Sequence, residues 1–94
     1  MKSLIKMDEV YMLQISHDGE YDIELFSSLE DAVTRMNKYF PEQYITRVLY
    51  NATITSSDGP IKTEKILLVR DNDELTRVVH MWISKKIVYG YSEI

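Results

Sequence analysis

Polar and apolar residues alternate along the first part of the chain. Tyr11, Leu13 and Ile15 fall on one side of a period of two, with Val10, Met12, Gln14 and Ser16 on the other. That period marks a strand over residues 9–16. Asp18-Gly19 follows, and this dipeptide supplies the positive φ angles of a two-residue type I′ hairpin turn. The next stretch alternates again, which predicts a second strand with Tyr21, Ile23 and Leu25 inward and Asp22 and Glu24 outward. Residues 1–8 have weak periodicity and read as a short lead-in.

A helical period takes over after residue 26. Leu29, Ala32, Val33, Met36 and Phe40 share one helical face. Ser27 is placed to cap this helix, with Glu30 completing a capping box. Pro41 ends it, because the residue before a proline is pushed out of helical geometry.

The pattern then repeats. A third strand is predicted over 44–55, with Val48, Tyr50, Ala52 and Ile54 as its core face. Ser56-Ser57-Asp58-Gly59-Pro60 is a looser turn, and a fourth strand covers 61–70. Its Ile66-Leu67-Leu68-Val69 is apolar on both faces, the mark of a strand that is central or covered on both sides. Leu75, Val78, Val79, Trp82 and Ile83 fit helical spacing. They predict a second helix capped by Asp71 or Asp73, with Glu74 in its first turn and Lys85 and Lys86 near its end. Ile87-Val88-Tyr89-Gly90-Tyr91 reads as a last short strand. The two units share few letters, so convergent turn chemistry explains their likeness better than duplication.

The predicted fold is α+β. It is a single two-layer domain, residues 1–94, of tandem ββα units: an antiparallel sheet of four or five strands with two helices on one face. Strand order is not legible.

Composition narrows the class. Ninety-four residues make one domain, and 45% apolar content is enough for a core and argues against disorder. No run of about 18 apolar residues is present, which predicts no membrane span. The N-terminal stretch lacks the apolar segment of a signal peptide, so a cytoplasmic location is expected. With no cysteine there is no thiol nucleophile and no thiolate metal site. The net charge is −4, and residues 1–42 hold nine acids against four bases. That balance argues against nucleic-acid binding and favours a partner with a basic surface.

Candidate chemistry is sparse. His17 and His80 are the only histidines, and Gly19, Gly59 and Gly90 are isolated. No metal set, phosphate loop or nucleophile–base arrangement is visible, so neither enzyme activity nor a cofactor is expected. The acidic stripe Asp18, Glu20, Asp22 and Glu24 lacks the spacing of a calcium loop. Tyr89 and Tyr91 with Lys85 and Lys86 form one aromatic–basic cluster, without an RNA-recognition signature.

Two helices on one face leave the other face of the sheet open. On the predicted facing it presents Asp22, Glu24 and Arg47 beside Val10, Met12, Leu49 and either Leu67 or Leu68. That mixture is too apolar for an idle surface if its apolar members are contiguous. The expected function is therefore a non-enzymatic protein-binding module. Its contact residues would be Met12, Asp18, Glu20, Asp22, Glu24, Arg47 and Leu49, and its partner another protein or, as a homodimer, a second copy. In size, acidity and lack of cysteine the chain resembles accessory inhibitors encoded by bacteriophages, including proteins that block host defence. No motif carries that resemblance, and no residue role is taken from it. The alternative is a small-molecule or nucleotide binder acting as a homo-oligomer, with Tyr39, Tyr44, Arg77 and Trp82 around its pocket.

Overall fold

The first and last strands of the chain lie side by side along its whole length. In the computed structural model, which describes residues 1–53, 63–70, 72 and 75–93, β1 (Lys2–His17) pairs antiparallel with β5 (Thr76–Glu93) from Lys2↔Glu93 to His17↔Val79. β2 (Glu20–Phe26), β3 (Ile45–Thr53) and β4 (Thr63–Arg70) complete one antiparallel sheet of order β2-β1-β5-β4-β3. One helix, α1 (Leu29–Lys38), and a single 3-10 turn at Glu42–Tyr44 lie between β2 and β3.

The first hairpin forms as its sequence dictates. Asp18 and Gly19 adopt φ of 53° and 80°, the two positive angles of the expected turn. Helix α1 also forms, one residue later than its predicted cap. Ser28, not Ser27, accepts the Asp31 N–H on its hydroxyl oxygen at 3.1 Å. Ala32 and Met36 are buried, while Leu29, Val33 and Phe40 pack beside them.

The second helix does not exist; residues 76–93 are a single strand of 18 residues. The stretch supports two periods. Val78, Val79, Trp82 and Ile83 fit a helical face, yet Val79, Met81 and Ile83 also alternate, and these three are the ones buried. Thr76, Val78, Val79, Ile83, Ile87 and Val88 are β-branched, which favours the pleated geometry. Pairing on both sides, with β1 and with β4, then decides the outcome. The expected short strand at 87–91 is the continuation of β5, and the supposed lead-in is the first half of β1. A two-layer α+β fold with two helices is thus replaced, among the described residues, by a five-stranded sheet with one α-helix. The Asp58-Gly59 turn, Ser56, Ser57, Ile54 and the caps Asp71 and Asp73 lie outside the described residues.

The core sits between one face of the sheet and α1. Leu13 and Ile15 of β1, Val79, Met81 and Ile83 of β5, and Leu67 and Val69 of β4 meet Ala32 and Met36. Tyr11, Phe26, Tyr39, Phe40, Tyr44 and Ile45 close its margin. β4 pairs on both sides, but among the described residues only one of its faces meets the core; Leu67 is buried while Leu68, half-buried, lies on the other side. Val48 and Tyr50, predicted inward, are half exposed. Beyond Tyr11 and Ile83 no third strand flanks β1 and β5 among the described residues. They project as a two-stranded ribbon that gives the molecule a long axis of 59 Å.

Candidate functional site: the open face of the sheet

The facing of β2 is the reverse of the one its sequence suggests. Opposite-strand partners share a face in an antiparallel pair. Asp22 lies opposite Ile15 and Glu24 opposite Leu13, so both carboxylates are on the helix side. Tyr21, Ile23 and Leu25 lie opposite Ser16, Gln14 and Met12, on the open side. The alternation was legible but its sign was not, because a charged side chain at a sheet edge can face the core layer when a helix supplies its partner. Arg35 does so for Glu24, and the Tyr39 hydroxyl approaches Asp22 at 3.5 Å.

These contacts change the acidic stripe. The Arg35 guanidinium sits 4.8 Å from the Tyr39 ring centroid, stacked over it. The hydrogen bond to Glu24 raises the Arg35 pKa, and burial, aided by the Asp22 and Glu24 charges, raises that of Tyr39. Asp18 pairs with Arg77 at 3.0 Å, and Glu20 lies 3.8 Å from His17. Asp22 and Glu24 therefore hold the helix to β2, and only Asp18 and Glu20 remain at the exposed hairpin end.

On the open side, strand register builds rows. Tyr21, Ser16, His80, Ile66 and Tyr50 cross the five strands in one row. Ile23, Gln14, Trp82, Glu64 and Ala52 form the next, and Leu25, Met12 and Ser84 a third. Trp82 is the hub. Its ring centroid is 5.8 Å from that of Tyr21 and 4.7 Å from that of His80. His80 Nε2 pairs with Glu64 Oε1 at 2.6 Å. Gln14 donates to the Tyr21 hydroxyl and accepts from Ser84 Oγ, which fixes the middle of the face. Ile23 is 50% exposed and Leu25 63%. Tyr50, Ala52, Glu64, His80 and Trp82 line a shallow depression of about 510 Å³.

The seven predicted contact residues are not brought together. Met12 lies on this face between Leu25 and Ser84. Asp18, Glu20, Asp22 and Glu24 belong to the β1–β2 hairpin at one edge, and Arg47 and Leu49 to β3 at the other. Arg47 faces Leu68, while Leu49 falls at a register shift. The four residues of the alternative pocket also separate. Trp82 is at the hub, Tyr39 beside α1, Arg77 beside His17 and Phe40, and Tyr44 beside Asn72. Sequence reasoning missed Ile23, Leu25, Ile66, His80 and Glu64. The signal for His80 was its alternation with Val79 and Met81, hidden by the helical reading.

Among the described residues no three His, Asp or Glu side chains gather as a metal site, and no helix is long and apolar enough to cross a membrane. Comparison with protein-family models, curated proteins and solved structures gives no match in any of the three, so the functional reading rests on this face.

Proposed function

We propose that the chain is a non-enzymatic protein-binding module whose contact surface is the open face of the sheet. The observation that carries this reading is the band from Leu25 and Ile23 through Met12 and Tyr21 to Trp82, which no helix among the described residues covers. Aromatic residues and methionine are enriched in the cores of protein interfaces, where they bury large area at low entropic cost. The partner is a protein that offers a complementary apolar patch with basic residues at its rim. Asp18 and Glu20 at the hairpin end, and the net charge of −4, favour its approach. The module acts by occupying a surface of its partner, as a small accessory inhibitor does, in the cytoplasm.

The test is affinity capture with the tagged chain, beside a variant carrying Ile23→Asp and Leu25→Asp. The expected result is one stoichiometric protein, lost with the variant while its circular dichroism is unchanged. Equal capture by the variant would overturn the assignment of this face.

The depression beside Trp82 favours a second reading, a small planar ligand stacked on the indole with Glu64 and His80 at its edge. A thermal-shift screen with nucleotides checks it, since a ligand that binds only the folded state raises the midpoint. The shift should vanish in Trp82→Ala.

A further inference from the structure

The ribbon poses a separate problem. A two-stranded ribbon is at best marginally stable in water without further strands or a covered face. Here β2 pairs β1 only from Tyr11 onward, and β4 pairs β5 only as far as Ile83. Outside those limits Leu4, Met7, Ile87, Val88, Tyr89 and Tyr91 are exposed, Tyr89 at 56% and Tyr91 at 70%. Each ribbon strand also has one edge without a described partner strand.

The two edges differ. The β1 edge is interrupted by a register shift between Lys6 and Asp8, and bulges of this kind blunt an edge against pairing. The β5 edge over residues 84–93 has no such shift and no proline. We infer that this edge pairs antiparallel with the same edge of a second copy about a two-fold axis at Tyr89, extending the ribbon to four strands.

Charge and shape select that register. With the axis at Tyr89, Lys85 faces Glu93 of the second copy, Ile87 faces Tyr91, and Tyr89 faces its own counterpart. On the other face Lys86 meets Ser92, and Val88 meets Gly90. Opposite charges and aromatic–β-branched pairs directly across are the favourable combinations in a sheet. Moving the axis to Val88 sets Lys85 against Tyr91, and moving it to Gly90 sets Ile87 against Glu93. Only the Tyr89 axis matches charge with charge and apolar with apolar.

The neighbouring strands continue the match. Glu9 pairs with Lys85 at 3.2 Å and Lys2 with Glu93 at 3.6 Å. Across the four strands the charges then alternate as Glu9, Lys85, Glu93 and Lys2, the last two from the second copy. The adjacent row joins Ile87 to Tyr91 and Leu4 of the second copy, because Leu4 lies opposite Tyr91 within each ribbon. An isologous contact of this sort closes as a dimer and does not propagate.

Sedimentation of the full chain at micromolar concentration tests this. The expected species is a dimer. Lys85→Glu sets like charges across both symmetric positions and should weaken the dimer by about tenfold or more. Lys85→Glu combined with Glu93→Lys should restore it in part, because the same reversal sets like charges against Glu9 and Lys2 within each ribbon. A register-specific check comes from the absence of cysteine in the chain. Tyr89→Cys should oxidise to a covalent dimer, since residues directly opposite lie within disulfide reach, and Val88→Cys should not. A monomer at these concentrations, a dimer unaffected by Lys85→Glu, or a dimer weakened by it with no recovery on the double reversal would overturn the proposal. Loss of dimer in Ile23→Asp with Leu25→Asp, without loss in Lys85→Glu, would instead place self-association on the open face.

Discussion

Arg35 of α1 grips Glu24 of β2 at two points, Nε at 2.7 Å from one carboxylate oxygen and Nη2 at 3.2 Å from the other. This planar fork joins the helix to the edge strand and takes one carboxylate out of the acidic surface. Both side chains are about a third or more exposed, so solvent screens the pair. Arg35→Ala is expected to cost about 1 kcal/mol, part of it from the lost stacking on Tyr39. Urea denaturation of Arg35→Ala, Glu24→Gln and the double variant measures the coupling.

Tyr39 makes the fold sensitive to alkali. Its folded-state pKa is raised, chiefly by burial and then by the Asp22 and Glu24 charges. Unfolded, the phenol ionises near its ordinary value of about 10. The contribution is complete below that value and is lost as pH rises through the folded value. The wild-type chain should lose stability above pH about 10 more steeply than Tyr39→Phe, measured by thermal melts across that range.

Glu9 gives the opposite dependence. Its hydrogen bonds to Lys6 first and Lys85 second lower its pKa in the folded state. The contribution is present above the ordinary carboxylate range and falls away as pH drops through the folded value. Amide exchange in residues 2–10 and 84–93 should accelerate in acid sooner than exchange in the flanked part of the sheet. Glu9→Gln should remove the difference.

The two faces of β1–β5 respond differently to truncation and to charge. Leu13→Ala removes a fully buried side chain between α1 and the sheet and should cost about 2–5 kcal/mol. Ile23→Asp and Leu25→Asp lie on the open face of an edge strand, and each should cost about 1 kcal/mol or less. Equal destabilisation by both kinds of change would mean that the open face is covered.

Much of the first half was legible. The Asp18-Gly19 turn, the alternation of Leu13 and Ile15, and the face of α1 with Ala32 and Met36 each rest on strong local chemistry. The rest depended on tertiary pairing. Residues 76–83 satisfy both periods, and only the neighbours β1 and β4 choose between them. The inversion of β2 has a similar cause. No local rule states that Arg35 will reach Glu24, and without that contact Ile23 and Leu25 belong inside. The make-up of the open face went unread because its members come from five strands whose order the sequence does not carry.

The central place of β5 has a consequence for how the chain is made. Its Val79, Met81 and Ile83 supply the middle of the core, and it seals β1 on one side and β4 on the other. During synthesis, the β1–β2 hairpin and α1 emerge first and wait with an unpaired hydrophobic edge. The β3–β4 pair emerges next with an edge of the same kind. Neither half has a finished interior until residues 76–83 join them. Closure over such sequence separations places folding toward the slow end for small domains. The nascent chain is then exposed to misassociation for longest at Leu13, Ile15, Leu67 and Val69, the residues that Val79, Met81 and Ile83 of β5 will flank in the finished core.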